Sequence, residues 1–318
     1  MSTIVQIVEP KTAISFERIL IATDFSIASQ QALSYALAVA KRYDAEVVAV
    51  HAMAPEPREL ATMGPLPRAL DRERAKADED CRRLEGHLSL SRIKHKIIVE
   101  RGAVWEVLAD VFAREQSDLL VMGTHGRGAL KTLALGSVAE EVLRRASCPV
   151  LAVGPKTLPP SGDDAGFKNI LFATDFGEAA AAAFPYALFL AESCAARLVL
   201  LHMVPPMTVF DVGPSAFGPA TYSSEDFSAW EHRMREEGIH KLEALMPADA
   251  KLANPPEYVV ETSFLPDGIL ETAKCFDCDL IVMGANRTRA PRLASHIPWA
   301  ITHDVLCEAP CPVFTVRD

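Results

Sequence analysis

Gly123-Thr124-His125-Gly126-Arg127-Gly128-Ala129-Leu130-Lys131-Thr132-Leu133-Ala134-Leu135-Gly136-Ser137 decides how this chain is read. Before it stands the apolar run Asp118-Leu119-Leu120-Val121-Met122, which has the character of a buried strand. After it, Val138-Ala139-Glu140-Glu141-Val142-Leu143 has the character of a helix start. Strand, glycine loop and helix N-terminus together make a pocket for phosphate. Glycines let bare backbone approach an anion and reach positive φ. The helix start adds free N–H groups and the positive end of its dipole. Ser137 can either cap that helix or donate its hydroxyl to a phosphate oxygen.

Outward from this stretch, the chain repeats itself. Arg18-Ile19-Leu20-Ile21-Ala22-Thr23-Asp24-Phe25 returns as Asn169-Ile170-Leu171-Phe172-Ala173-Thr174-Asp175-Phe176, and Val50-His51-Ala52-Met53 as Leu201-His202-Met203-Val204. Leu119-Leu120-Val121-Met122-Gly123 returns as Leu280-Ile281-Val282-Met283-Gly284, and Cys148-Pro149-Val150 as Cys311-Pro312-Val313. Each copy is read as one domain, 1–154 and 167–318. The Pro- and Gly-rich segment 155–166 is read as the linker. Within a copy, short apolar strands alternate with helical stretches. In the first copy helices are expected over 26–42, 69–88 and 104–116, and strands over 94–99 and 118–122. That alternation predicts an α/β fold: two tandem doubly wound domains, each a parallel sheet with helices on both faces. Ligands of such sheets lie beyond the carboxyl ends of the strands, where the strand order reverses. Asp24, Ala52 and Gly123 all fall at expected strand ends, so one shared pocket is expected.

Composition narrows the classes. The 318 residues are 49% hydrophobic and 23% charged, ordinary for a globular chain of two domains at about 150 residues each. The formal net charge of −10 argues against a general nucleic-acid or anionic-membrane partner. No apolar run approaches the roughly 20 residues of a spanning helix, and the first residues lack the pattern of a signal peptide. The expected location is cytoplasmic. Seven cysteines, an odd count, argue against a disulfide framework. Cys275-Phe276-Asp277-Cys278 has C-x-x-C spacing but no second pair to complete a zinc site, so it reads as two thiols at a helix end. His296 and His303 lack the i, i+4 spacing of a metal pair, and no metal site in the protein is expected.

The glycine spacing is neither G-x-x-x-x-G-K-[ST] nor G-x-G-x-x-G. It is G-x2-G-x9-G-S, carried by Gly123, Gly126, Gly136 and Ser137. With the strand that ends in Thr23-Asp24, this pattern resembles the ATP-binding members of the universal stress protein family. The resemblance covers both copies. It implies a five-stranded sheet of order 3-2-1-4-5 in each domain and an intramolecular pseudo-dimer through the last strands, with a further homodimer left open. It also implies a site for ATP with Mg²⁺ in the first copy. By the same resemblance, Ala22, Thr23 and Asp24 line the adenine and ribose region with Ala52 beside them. Met122 and Gly123 lie near the sugar, and Gly126, Gly136, Ser137 and Val138 hold the phosphates. Arg127 and Lys131 either add positive charge there or form a solvated loop face. His125 either touches phosphate or is exposed, and His51 and His202, recurring at one place, read as structural.

The second copy departs from the pattern. Arg287 stands where the second glycine belongs, and Ile297-Pro298 stands in place of Gly-Ser. Proline has no N–H to donate. The phosphate cradle is therefore lost, while Asp175 and Gly284 leave an adenosine-sized cleft as an expectation. Arg287, Arg289 and Arg292 read either as another anion site or as a solvated loop, and the long segment 203–224 as either a lid or an ordered loop. The leading functional expectation is an ATP-binding regulatory or protective protein that acts in the stress response with an unidentified protein partner. Slow hydrolysis or autophosphorylation is allowed by the resemblance, and no catalytic residue is assigned. The alternatives are a nucleotide-independent scaffold and an ATP-using enzyme of related fold, although H-x-G-H and S-G-G-x-D-S are absent.

Overall fold

The computed structural model describes residues 14–55, 67–126, 135–160, 166–206, 224–285 and 298–317. The first half runs β1 (Arg18–Ala22), α1 (Ile27–Tyr43), β2 (Glu46–Met53), α2 (Pro67–Ser91), β3 (His95–Arg101), α3 (Val104–Arg114), β4 (Leu119–Gly123), α4 (Ser137–Arg145) and β5 (Val150–Val153). The second runs β6 (Asn169–Thr174), α5 (Glu178–Cys194), β7 (Arg197–Val204), α6 (Ser224–Leu245), β8 (Glu257–Thr262), α7 (Asp267–Cys275), β9 (Leu280–Gly284), α8 (Pro298–Glu308) and β10 (Val313–Val316). The expected elements of the first half are all present, with ends shifted by a few residues.

Each half is a parallel sheet, in the order β3-β2-β1-β4-β5 and its repeat β8-β7-β6-β9-β10. The two halves share one ten-stranded sheet because β5 and β10 pair antiparallel, with Val313 opposite Ala152 and Thr315 opposite Val150. The central strands are buried up to the glycines that end β4 and β9, as strands with helices on both faces must be. Ile19, Ile21, Val47 and Val121 face α1, while Leu20, Val48, Leu120 and Met122 face α3 and α4.

Local chemistry sets the ends of these elements. Ser26 caps α1, its hydroxyl accepting from the Ser29 N–H at 3.2 Å. Asp44 ends the helix in the left-handed region at φ 53°, and Ala195 ends α5 the same way at φ 52°. Each half starts its first strand with one carboxylate clamp. Asp118 accepts from the Glu17 and Arg18 N–H groups, and Asp279 from those of Lys168 and Asn169.

The seam between the halves is aromatic. Phe16 lies 5.3 Å from the Tyr43 ring and 5.7 Å from Phe189, and Tyr186 lies 5.4 Å from Phe314. Tyr43 shares a hydrogen bond with Ser193 at 2.6 Å, and Arg42 donates to the Ser193 carbonyl. The residues just after β5 are packed onto the first half. Thr157 is buried, and the Tyr35 hydroxyl donates to the Leu158 carbonyl at 2.7 Å.

Phe314 is fully buried in this seam. Phe314→Ala is expected to cost about 3–5 kcal/mol. Its unfolding by guanidinium should shift to a lower midpoint with probes in both halves moving together. An unchanged midpoint would mean that the seam contributes little to either core.

Candidate functional site

At the switch point between β1 and β4, three strand ends and one helix start enclose a cavity of about 520 Å³. Ala22 and Thr23 close β1, Ala52 lies near the end of β2, and Met122 and Gly123 close β4. Ser137, Val138 and Ala139 come from the first turn of α4. Every residue expected from the sequence to line the first-copy site is therefore on this wall except Arg127, which lies outside the described residues together with Lys131.

The loop after β1 is held by its own side chains. The Thr23 hydroxyl accepts from the Phe25 N–H at 3.0 Å, and the Asp24 carboxylate accepts from the Ser26 N–H at 3.0 Å. The turn places Phe25 at φ 60°, a left-handed conformation that a bulky residue adopts only under constraint. Its ring lies 4.6 Å from His51, and His51 Nδ1 bonds the Thr23 carbonyl at 2.8 Å. The second half repeats each feature: Phe176 at φ 60°, Phe176 to His202 at 4.5 Å, and His202 Nδ1 to the Thr174 carbonyl at 2.9 Å. Burial, with a smaller contribution from nearby Lys241, holds the His202 imidazole below its ordinary pKa, against the pull of the Thr174 carbonyl. His51 has the expected structural bond and also lines the cavity.

Bare backbone forms the polar end of the cavity. The Gly136 N–H donates to the Thr124 carbonyl at 2.8 Å, drawing the start of α4 against the end of β4. A Cβ at Gly136 would lie 3.2 Å from that carbonyl oxygen. A Cβ at Gly126 would lie 3.0 Å from the Asp24 carboxylate. A side chain at either position would press on its neighbour, on fixed backbone at Gly136 and on the end of the Asp24 side chain at Gly126. Gly136, not Ser137, is the N-cap of α4, and it offers no side-chain cap. Ser137 is the first helical residue, so of its two expected roles the cap is excluded and its exposed hydroxyl remains at the cavity. The first-turn amides have no acceptor within their own helix, as at any helix start. Thr124 is fully buried and its hydroxyl bonds His125 Nδ1 at 2.8 Å; His125 is half-buried and lines the cavity.

The other end of the cavity is apolar. Val50, Val104, Leu108 and Leu135 line it with Ala22 and Ala52. Val104 and Leu108 escaped the sequence reading because an i, i+4 apolar pair on a helix has the pattern of core. Their position, directly after a third strand that ends at the same edge of the sheet, was the available signal. Ser29, in the first turn of the helix that follows Asp24, carried the same signal.

The corresponding cleft of the second half is much smaller, about 90 Å³, and is lined by Thr174, Asp175, Met203, Leu265, Ile269 and Ile301 among others. The expectation of an adenosine-sized opening there does not hold among the described residues. Larger apolar side chains fill the space. Arg287, Arg289, Arg292, His296 and residues 207–223 lie outside the described residues. Cys275 is exposed at the end of α7 while Cys278 is buried, its thiol pushed up to about 12 by desolvation. Among the described residues no helix is long and apolar enough to cross a membrane.

Comparison with known proteins gives a consistent answer. The family model of the universal stress protein family matches residues 15–154 and again 166–317. The universal stress protein MJ0531 of Methanocaldococcus jannaschii is 32% identical over 147 residues, covering 43% of this chain and 82% of that protein. A universal stress protein of Thermus aquaticus is 33% identical over 138 residues, covering 43% of this chain and 98% of its own length. The crystal structure of a universal stress protein from Archaeoglobus fulgidus covers 94% of this chain and 98% of its own with a TM-score of 0.62 at 19% identity, a likeness of fold. The chain belongs to the universal stress protein family, with two family segments in tandem.

Proposed function

We propose that the first half binds ATP and that the chain is a nucleotide-dependent regulatory or protective protein of the stress response. The carrying observation is the two-ended cavity at the β1/β4 switch point. Its backbone end, built from Gly123, Gly126, Gly136 and the α4 N-terminus, suits a triphosphate. Its apolar end, built from Ala22, Val50, Ala52, Val104 and Leu108, suits a purine. A volume of about 520 Å³ lies inside the usual range of small-molecule pockets, about 300–1,000 Å³. In this reading Thr23 and Asp24 face the sugar and base, and Ser137 and Val138 face the phosphates. Arg127 would extend that end with positive charge. Mg²⁺ would arrive with the triphosphate, held mainly by phosphate oxygens and water, since no cluster of three metal-binding side chains occurs among the described residues. Such an ion would neutralise phosphate charge.

The working unit proposed is a domain over 1–154, a linker over 155–166 and a second domain over 167–318. The reading is of a cytoplasmic protein whose loaded and empty states differ in the surface offered to a protein partner. No side chain in the cavity is assigned as a general base, so turnover beyond slow hydrolysis or autophosphorylation is not part of the reading.

Gly136→Glu is expected to weaken ATP binding at least about 100-fold, about 2.7 kcal/mol. Its side chain would crowd the Thr124 carbonyl and set a carboxylate against the phosphates. Titration calorimetry on the folded variant checks this, and an unchanged affinity would sink the site assignment. The same titration of the unaltered chain should give one nucleotide per chain; a stoichiometry of two would show that the second cleft also binds. Rapid turnover with an added acceptor would favour an enzyme, and no affinity at all would favour a scaffold.

A further inference from the structure

The two clefts differ at one lining residue of the second strand, and a helix residue packed behind it differs with it. Ala52 and Met203 hold the same position in the two sheets. Each follows the histidine that bonds the carbonyl ending the first strand, and each pairs with a glutamate of the edge strand, Glu100 and Glu261. Val107 and Gly268 likewise correspond. Each donates its N–H four residues back at the start of the helix after the third strand, Val107 to Ala103 at 3.0 Å and Gly268 to Phe264 at 3.1 Å. Small on the strand and branched on the helix in the first half becomes long on the strand and bare on the helix in the second.

The contact between the exchanged residues is direct. A Cβ added to Gly268 would lie 2.1 Å from Met203 Cε and 3.1 Å from its sulfur. Met203 therefore occupies space that any side chain at 268 would need. It is buried, and it lines the second cleft together with Leu265, which stands where the first half has Val104. Glycine is a poor helix former, so its use here is explained by the methionine it accommodates.

We propose that Met203, which lines the second cleft where Ala52 lines the first, takes in the second half the space that a ligand's flat base takes in the first, its methyl end resting against Gly268, so that the second cleft is a base site closed by its own side chain. This rests on the nucleotide reading of the first cleft. It follows that restoring a glycine loop would not by itself restore binding to the second half. Shortening Met203 would open a pocket for an uncharged nitrogen heterocycle such as a purine nucleoside.

The test uses the full chain with methionine methyl groups labelled with ¹³C, read by NMR. Met122 lines the first cleft and Met283 the second, so each site has its own reporter. In the unaltered chain, ATP should shift Met122, and adenosine should leave Met283 unmoved. In Met203→Ala, millimolar adenosine should shift Met283. A Met283 response in the unaltered chain, or none in folded Met203→Ala, overturns the proposal. A silent Met122 under saturating ATP speaks against the nucleotide reading of the first half instead. If Met203→Ala does not fold, the converse exchange decides: Ala52→Met with Val107→Gly should close the first cleft and weaken ATP binding at least about 100-fold. Unchanged ATP affinity in that folded double variant overturns the proposal.

Discussion

The close approach of the helix after the first strand to the end of the fourth organises both halves. A Cβ at Gly123 would sit 2.9 Å from the Ala28 carbonyl carbon, and one at Gly284 would sit 2.4 Å from that of Ala179. Only glycine tolerates such a contact. Because α1 and α5 begin pressed against the ends of β4 and β9, the crevice beside β1 and β6 has a fixed wall. The turns that precede these helices are held just as tightly, by the Thr23 and Asp24 bonds and their counterparts at Thr174 and Asp175. Phe25 and Phe176, forced to φ 60°, are a local cost of that turn. The crevice is thus built before any ligand contact is considered.

What the halves do with that crevice depends on a few side chains at its two ends. At the polar end, Gly126 and Gly136 leave backbone groups facing the space, and the α4 dipole adds to them. At the apolar end, Ala52 and Val104 line a cavity of about 520 Å³, where Met203 and Leu265 line one of about 90 Å³. The scaffold common to both halves carries neither property. A fold of this kind identifies where a ligand would sit, while the residues at its strand ends decide whether there is room.

Much of this was legible in the sequence, for physical reasons that differ by residue. The repeat, the alternation of strand and helix and the glycine cradle were legible because each leaves a pattern of period or residue type. The role of Ser137 was legible only as a choice, since helix ends shift by one residue and Gly136 and Ser137 are both acceptable caps. Val104 and Leu108 were hidden because a helix presents the same apolar spacing to a core as to a ligand. Met203 was hidden for the related reason that an apolar residue near a strand end reads as packing, which it is. Only Gly268, in a distant segment, shows where the end of that methionine packs. The seam between the halves came from the family resemblance alone, because four-residue strands such as β5 and β10 do not state which edge they join or in which direction.

That seam explains why a half whose cleft is filled keeps its fold. β5 ends the first half's sheet, and without β10 its backbone would form an exposed edge rich in apolar side chains. Phe314 and Tyr186 cover the Phe16 ring that comes from the other side. The described residues just after β5 are held as well, with the Tyr35 hydroxyl of α1 donating to the Leu158 carbonyl. Substitutions that fill the second cleft act at the strand ends of β7 and the start of α7, away from the β5–β10 pairing. The second half can therefore lose room for a ligand without losing its part in holding the first half together, and the constraint on its seam outlasts any constraint on its site.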